Sequence, residues 1–154
     1  MGENVDFIEE LYKTFDLKKQ DANLVSALGL AYIGDCIFDL VVKSQVIHAG
    51  NRPVNDMHKM TSHIVNAQAQ SEMMRKLQDV LTDEERRIYK RGRNSRSVSP
   101  AKNQSVTDYR RATGFEALMG YLFLEGQYER MLLLMKMGLD HLKEKGITID
   151  SWKK

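Results

Sequence analysis

Residues 24–42 read LVSALGLAYIGDCIFDLVV, and the only charges in them are Asp35 and Asp39. A helix that is apolar on nearly all sides is normally buried. A carboxylate inside such a helix is costly unless a cation pairs with it or a metal binds it. The stretch is nearly long enough to span a bilayer. Two aspartates near the centre of a membrane helix would cost ~2.5–3.5 kcal/mol each, so a membrane span is rejected. The stretch therefore reads as a core helix, and either both acids leave its apolar face or at least one of them has a cationic partner.

The rest of the chain continues in helical periods. A first short helix over about 4–15 carries Val5, Ile8, Leu11, Tyr12 and Phe15 on one stripe. Asp21 or Asn23 can cap the second helix, which is expected to run to about His48. Gly50 suits its end, and Pro53 suits the first turn of a third helix over about 53–80. Thr82 and Glu85 form a capping box that opens a short helix to about Lys90. RGRNSRSVSPAKNQSV, rich in Ser and Asn, reads as a loop. A further helix starts near Thr107 or Asp108 and stops at Gly126, and a last one covers about 127–145 before Gly146. ITIDSWKK reads as a tail, with no role for Trp152. With two prolines and 154 residues, the expected architecture is a single all-α domain over 1–154, with its core at about 24–145. The one cysteine, Cys36, is expected to be a buried, inert thiol, and it suits a reducing, cytoplasmic setting. The acidic N-terminus lacks the features of a signal peptide.

Two features carry chemistry. The first is a second misplaced acid. ATGFEALMGYLFL, residues 112–124, has Glu116 as its sole charge. Two near-apolar helices, each with a carboxylate at its middle, can approach and share one divalent cation. Oxygen ligands favour a hard ion such as Mg²⁺ or Mn²⁺, and magnesium often takes one or two carboxylates and keeps its other waters. The competing reading pairs these acids with Arg110, Arg111 or Lys43, or with buried backbone groups. Asp39, one turn after Asp35, is given a supporting role at most.

The second feature is charge placement. Net charge is only +2, yet no acid occurs between Glu85 and Asp108, an interval that holds seven Lys and Arg residues. A basic, Ser- and Asn-rich loop suits phosphate oxygens; alone, such a run is usually just a solvated surface. His58 and His63 are five apart, poorly spaced to share a metal on one helix face, and His48 and His141 stand alone.

AYIGDCIFDL resembles the signature helix of the ribonuclease III catalytic domain, and ATGFEALMGYLFLEG resembles that family's second acidic helix. With HKMTSHIVNAQAQ, KRGRNSR, PAKNQ and DYRRATGFEALMG, the likeness is closer to the family's short branch, which consists of the catalytic domain alone. It covers about 24–145. It implies an all-α, ribonuclease III-like endonuclease domain, a helical bundle that forms a homodimer, with no double-stranded-RNA-binding domain following. It implies a Mg²⁺-dependent endoribonuclease, with Mn²⁺ able to substitute, that cleaves double-stranded RNA and leaves 5′-phosphate and 3′-hydroxyl ends. The implied catalytic and metal-binding residues are Asp35 and Glu116. Leu28, Ala31 and Thr113 stand where longer members carry acids. Arg91, Arg93, Asn94, Lys102, Asn103 and Arg110 are the expected backbone contacts to RNA. The branch matures the ends of the 23S (large-subunit) ribosomal RNA precursor, so that is the expected substrate, with a ribosomal protein as a further candidate partner and no membrane. The alternative is a non-catalytic RNA-binding or ribosome-assembly protein on a degenerate version of the same fold.

Overall fold

The structure, a computed structural model, describes residues 6–95 and 105–153. Among these the chain forms seven α-helices and two short 3₁₀ turns. They are α1 (Phe7–Thr14), α2 (Ala27–His48), α3 (Val54–Val65), α4 (Ala67–Leu77), α5 (Asp83–Arg93), α6 (Val106–Leu124) and α7 (Tyr128–Glu144). The all-α expectation holds.

α6 is the axis of the bundle. From Ala112 to Leu122 every residue except Glu116 is buried. Its most extensive partner is α2, followed by α5 and α4. The α2–α6 crossing is close because two glycines face the other helix's backbone. A Cβ on Gly34 would overlap the carbonyl of Glu116 and stand 2.8 Å from the Gly120 nitrogen. Reciprocally, a Cβ on Gly120 would overlap the carbonyl of Leu30. Beside the crossing, Phe38 meets Phe115 edge-on at 5.1 Å between ring centroids.

α2 does not bury its whole circumference as its composition suggests. Leu30, Ala31, Gly34, Phe38, Val42 and Val46 form one buried face. The opposite face leaves Leu28, Tyr32, Leu40 and Ile47 exposed, Tyr32 at 82% and Ile47 at 70%. Cys36 lies on that open side and is exposed, so the expected buried thiol is corrected. Neither Asp21 nor Asn23 caps α2. Asp21 caps a 3₁₀ turn at Ala22–Leu24, and the Ser26 hydroxyl accepts from the Gly29 N–H to start the helix.

The expected third helix is two helices. Asn66 ends α3 and caps α4 with extended backbone, φ −73° and ψ 161°. Its side-chain amide donates to the Ser62 and His63 carbonyls, and its Oδ1 accepts from the Ala69 N–H. One asparagine thus finishes one helix and begins the next. α5 runs three residues past the expected end, to Arg93. Gly92 is consequently a packing residue: a Cβ there would stand 2.6 Å from the Cβ of Ala117 on α6. The tail also docks. Ser151 Oγ lies 2.8 Å from His63 Nε2, Arg52 pairs with Asp150 at 3.4 Å, and Ile147, Ile149 and Trp152 pack against the core.

The Thr82–Glu85 capping box is present. Glu85 is buried, and its carboxylate accepts two hydrogen bonds from Arg130 at 2.9 Å each and one from the Thr82 N–H. Burial pushes this carboxyl upward, but the Arg130 and Thr82 hydrogen bonds outweigh it and leave the pKa below the usual value. A depressed carboxylate stabilises the fold above its unfolded pKa, and that contribution is lost as pH falls through the folded value. Removing one partner of a buried pair strands the other. Glu85→Ala is therefore expected to cost about 3 kcal/mol. Thermal denaturation by circular dichroism should show the deficit at pH 7 and a smaller one in acid, where wild-type Glu85 is itself protonated.

Candidate active site

Asp35 directly follows Gly34, and Glu116 carries the carbonyl that Gly34 faces. The α2–α6 crossing therefore fixes the two backbones from which these acids project. Asp35 is exposed beside the open side of α2, and Glu116 is half-buried within an otherwise buried stretch of α6. Asp39 pairs with Lys43, one turn on, at 2.9 Å, the ion pair that the competing reading of these acids named. Among the described residues, no group of three or more His, Cys, Asp or Glu side chains converges on a metal position. Asp35 and Glu116 offer oxygen donors only, a chemistry that suits a hard divalent ion that keeps most of its waters.

The basic residues divide. α5 packs on α6 next to this crossing and brings the basic run with it. Arg91 is half-buried, and its Nη2 donates to the Val25 carbonyl at 3.3 Å, tying α5 to the entry of α2. Arg87 reaches the same segment through Asn23 Oδ1 at 2.8 Å. Arg93 lies with its guanidinium 5.8 Å from the Tyr89 ring and donates to the Oδ1 of Asn94 at 3.2 Å. Asn94 closes α5 through its N–H to the Lys90 carbonyl. Arg110, in the first turns of α6, is exposed. Lys102 and Asn103 lie outside the described residues.

A separate open cleft of about 670 Å³ lies where α3 meets α4, near the start of α6 and the end of α7. His63, Gln68, Arg75, Lys145 and Asp108 line it. Asp108 is eight residues, ~12 Å of helix rise, before Glu116, so this cleft is not the carboxylate crossing. Its Glu72 holds Lys145 at 3.0 Å, His141 at 3.2 Å and Arg75 at 3.4 Å. Burial raises the Glu72 pKa, and hydrogen bonds from Lys145 and His141 more than reverse that. Two of the four histidines are thus satisfied structurally, His63 by Ser151 and His141 by Glu72.

The sequence reading missed the exposed face of α2 and the Arg87 and Arg91 ties. The first has no charge pattern to mark it. The second depends on contacts more than sixty residues apart.

Comparison with known proteins decides the family. The model of the ribonuclease III domain matches residues 28–127, the span that holds both acids and the basic run between them. The chain belongs to the ribonuclease III family. Its members are endoribonucleases that act on double-stranded RNA. Within the family the relatives are of the short kind. A Mini-ribonuclease 3 of Thermoanaerobacter is 40% identical over 128 residues, 83% of this chain and 90% of the relative. Those of Clostridium tetani and Enterococcus faecalis are 41% and 44% identical, over 84% and 73% of this chain and 86% of each relative. A crystal structure of a Fusobacterium nucleatum protein superposes with a TM-score of 0.71 at 28% identity, covering 79% of this chain and 98% of its own. The ribonuclease III fold expected from the motifs is thereby established.

Proposed function

We propose that this chain is a Mg²⁺-dependent endoribonuclease that cleaves double-stranded RNA and leaves 5′-phosphate and 3′-hydroxyl ends. Its substrate is the precursor of 23S large-subunit ribosomal RNA, matured at its ends, with a ribosomal protein as a candidate presenter. Residues 1–154 act as one catalytic domain in the cytoplasm; no described helix is long and apolar enough to cross a membrane. The observation that carries the reading is Glu116. It is the one residue from Ala112 to Leu122 that is not buried, and its backbone carbonyl lies against Gly34, the residue before Asp35.

Asp35 and Glu116 hold the cation, and Mn²⁺ can replace Mg²⁺ because the donors are oxygen. The cation supplies a bound water of lowered pKa and neutralises charge on the phosphate oxygens. Arg93, Arg110, Lys102, Asn103 and Asn94 contact the RNA backbone. Arg91 serves there with its remaining donors while it anchors Val25. Duplex RNA is read through shape, 2′-hydroxyls and phosphates, so a surface of cations and amides is adequate.

The test is a cleavage assay on a long RNA duplex, its separated strands and free nucleotides, with and without Mg²⁺. Only the duplex with Mg²⁺ should be cut, with 5′-phosphate ends. Equal turnover of free nucleotides would contradict the assignment. Arg93→Ala with Arg110→Ala should weaken duplex binding at every sequence and flatten its salt dependence by roughly one unit of slope per lost phosphate contact. Filter binding across a salt series measures this.

A homodimer through the open face of α2 completes the reading. Leu28, Tyr32, Leu40 and Ile47 follow one another at spacings of four, eight and seven along one side of the helix, all exposed. The Asp35 carboxylate sits beside this stripe, so a two-fold partner would set two equivalent sites near each other, one for each antiparallel RNA strand. Leu40→Asp is expected to convert the dimer to a monomer in sedimentation equilibrium, with helical content retained. A monomeric wild type would remove the dimer.

A further inference from the structure

We infer that the Asp35–Glu116 centre takes one divalent cation per protomer rather than a pair, with solvent completing its coordination. The inference rests on the metal reading above and concerns how many ions that site can hold. Two-metal nuclease sites keep their ions about 3.5–4 Å apart. Each ion then needs oxygen ligands of its own besides any bridging carboxylate. On α2 and α6 themselves those ligands would come from positions three or four residues from the first acid, which share its face, and among the described residues no third His, Cys, Asp or Glu joins the two acids from another element.

Every such position here is unable to serve or already engaged. Around Asp35, Ala31 and Phe38 are buried and apolar, and Asp39 pairs with Lys43 at 2.9 Å and forms no three-donor group with Asp35 and Glu116. The remaining neighbour, Tyr32, has a neutral phenol and is 82% exposed on the open face. Around Glu116, Ala112 and Met119 are buried and apolar, and Gly120 lies against the Leu30 carbonyl. Thr113 is buried, and its hydroxyl donates to the Tyr109 carbonyl at 3.0 Å. Residues 96–104 contain no acid, so that segment adds no carboxylate. Two carboxylates balance the charge of one dication; a second ion would meet the first with no anionic ligand of its own between the helices. A hard ion with two protein ligands and several waters is a normal arrangement for magnesium.

The experiment is a Mn²⁺ titration of the full chain without RNA, read as loss of the free-ion electron paramagnetic resonance signal. One Mn²⁺ per protomer is expected, displaced by excess Mg²⁺. It should be lost in Asp35→Asn and in Glu116→Gln, with unchanged far-ultraviolet circular dichroism, and kept in Asp39→Asn. Two equivalents that both depend on Asp35 would overturn the single-ion inference and leave the metal assignment standing. Loss of the ion in Asp39→Asn would overturn the ligand inventory on which the inference stands. No bound ion in the wild type, or one indifferent to both acids, would remove the metal assignment itself and the inference with it.

Discussion

Asp35→Asn is expected to lower single-turnover cleavage of duplex RNA by about 10³-fold, or ~4 kcal/mol of transition-state stabilisation. Asparagine keeps the volume of the side chain and removes its charge. The exposed position of Asp35 leaves the fold indifferent to the change. Duplex binding should persist, because the proposed phosphate contacts Arg91, Arg93 and Arg110 on α5 and α6 are unchanged. Glu116→Gln should give a similar loss, and the double variant should be little worse than either single one, since both acids serve one ion. Undiminished cleavage by Asp35→Asn would show that the reaction does not run through this carboxylate.

The second large effect is on stability. Gly34→Ala adds one methyl group, but that carbon would overlap the Glu116 carbonyl, which belongs to the backbone of a buried helix and has nowhere to move. α2 and α6 must separate along their longest contact. A cost of about 3 kcal/mol follows from overpacking, or about 6–12 °C in Tm for a chain of this size. Gly126→Ala is the control. Nothing lies within 4 Å of a Cβ there, and its φ of +74° leaves only the local strain of a left-handed residue, about 1–2 kcal/mol. Thermal melts should rank the two variants in that order. The opposite order would mean that the crossing is looser than its glycines indicate.

Much of this molecule was legible before its coordinates. Capping chemistry is local, so the Thr82–Glu85 box and the glycine stops of α6 and α7 were read where they occur. Asp35 and Glu116 stood out because each is an acid in an apolar run. Other features depend on neighbours that one stretch of sequence does not reveal. α2 is apolar on both faces, and periodicity cannot separate a face that packs on α6 from one left open; hence the error at Cys36. Asn66 sits inside a run whose apolar spacing continues through it, and only its hydrogen bonds to Ser62, His63 and Ala69 show the break. Gly92 reads as a loop glycine because it opens a Ser- and Asn-rich run, whereas its role is close approach to Ala117. Trp152 looked idle in a polar tail, and its place against the core is set by Ser151 and Asp150 reaching α3 and Arg52.

The central claim is that two carboxylates from α2 and α6 hold the reactive ion. Crystals soaked in Mn²⁺ and measured at the manganese absorption edge test it directly. The expected result is an anomalous peak between the carboxylates of Asp35 and Glu116, within about 2.2 Å of an oxygen of each. A peak elsewhere on the protein, with none between these two side chains, would contradict it.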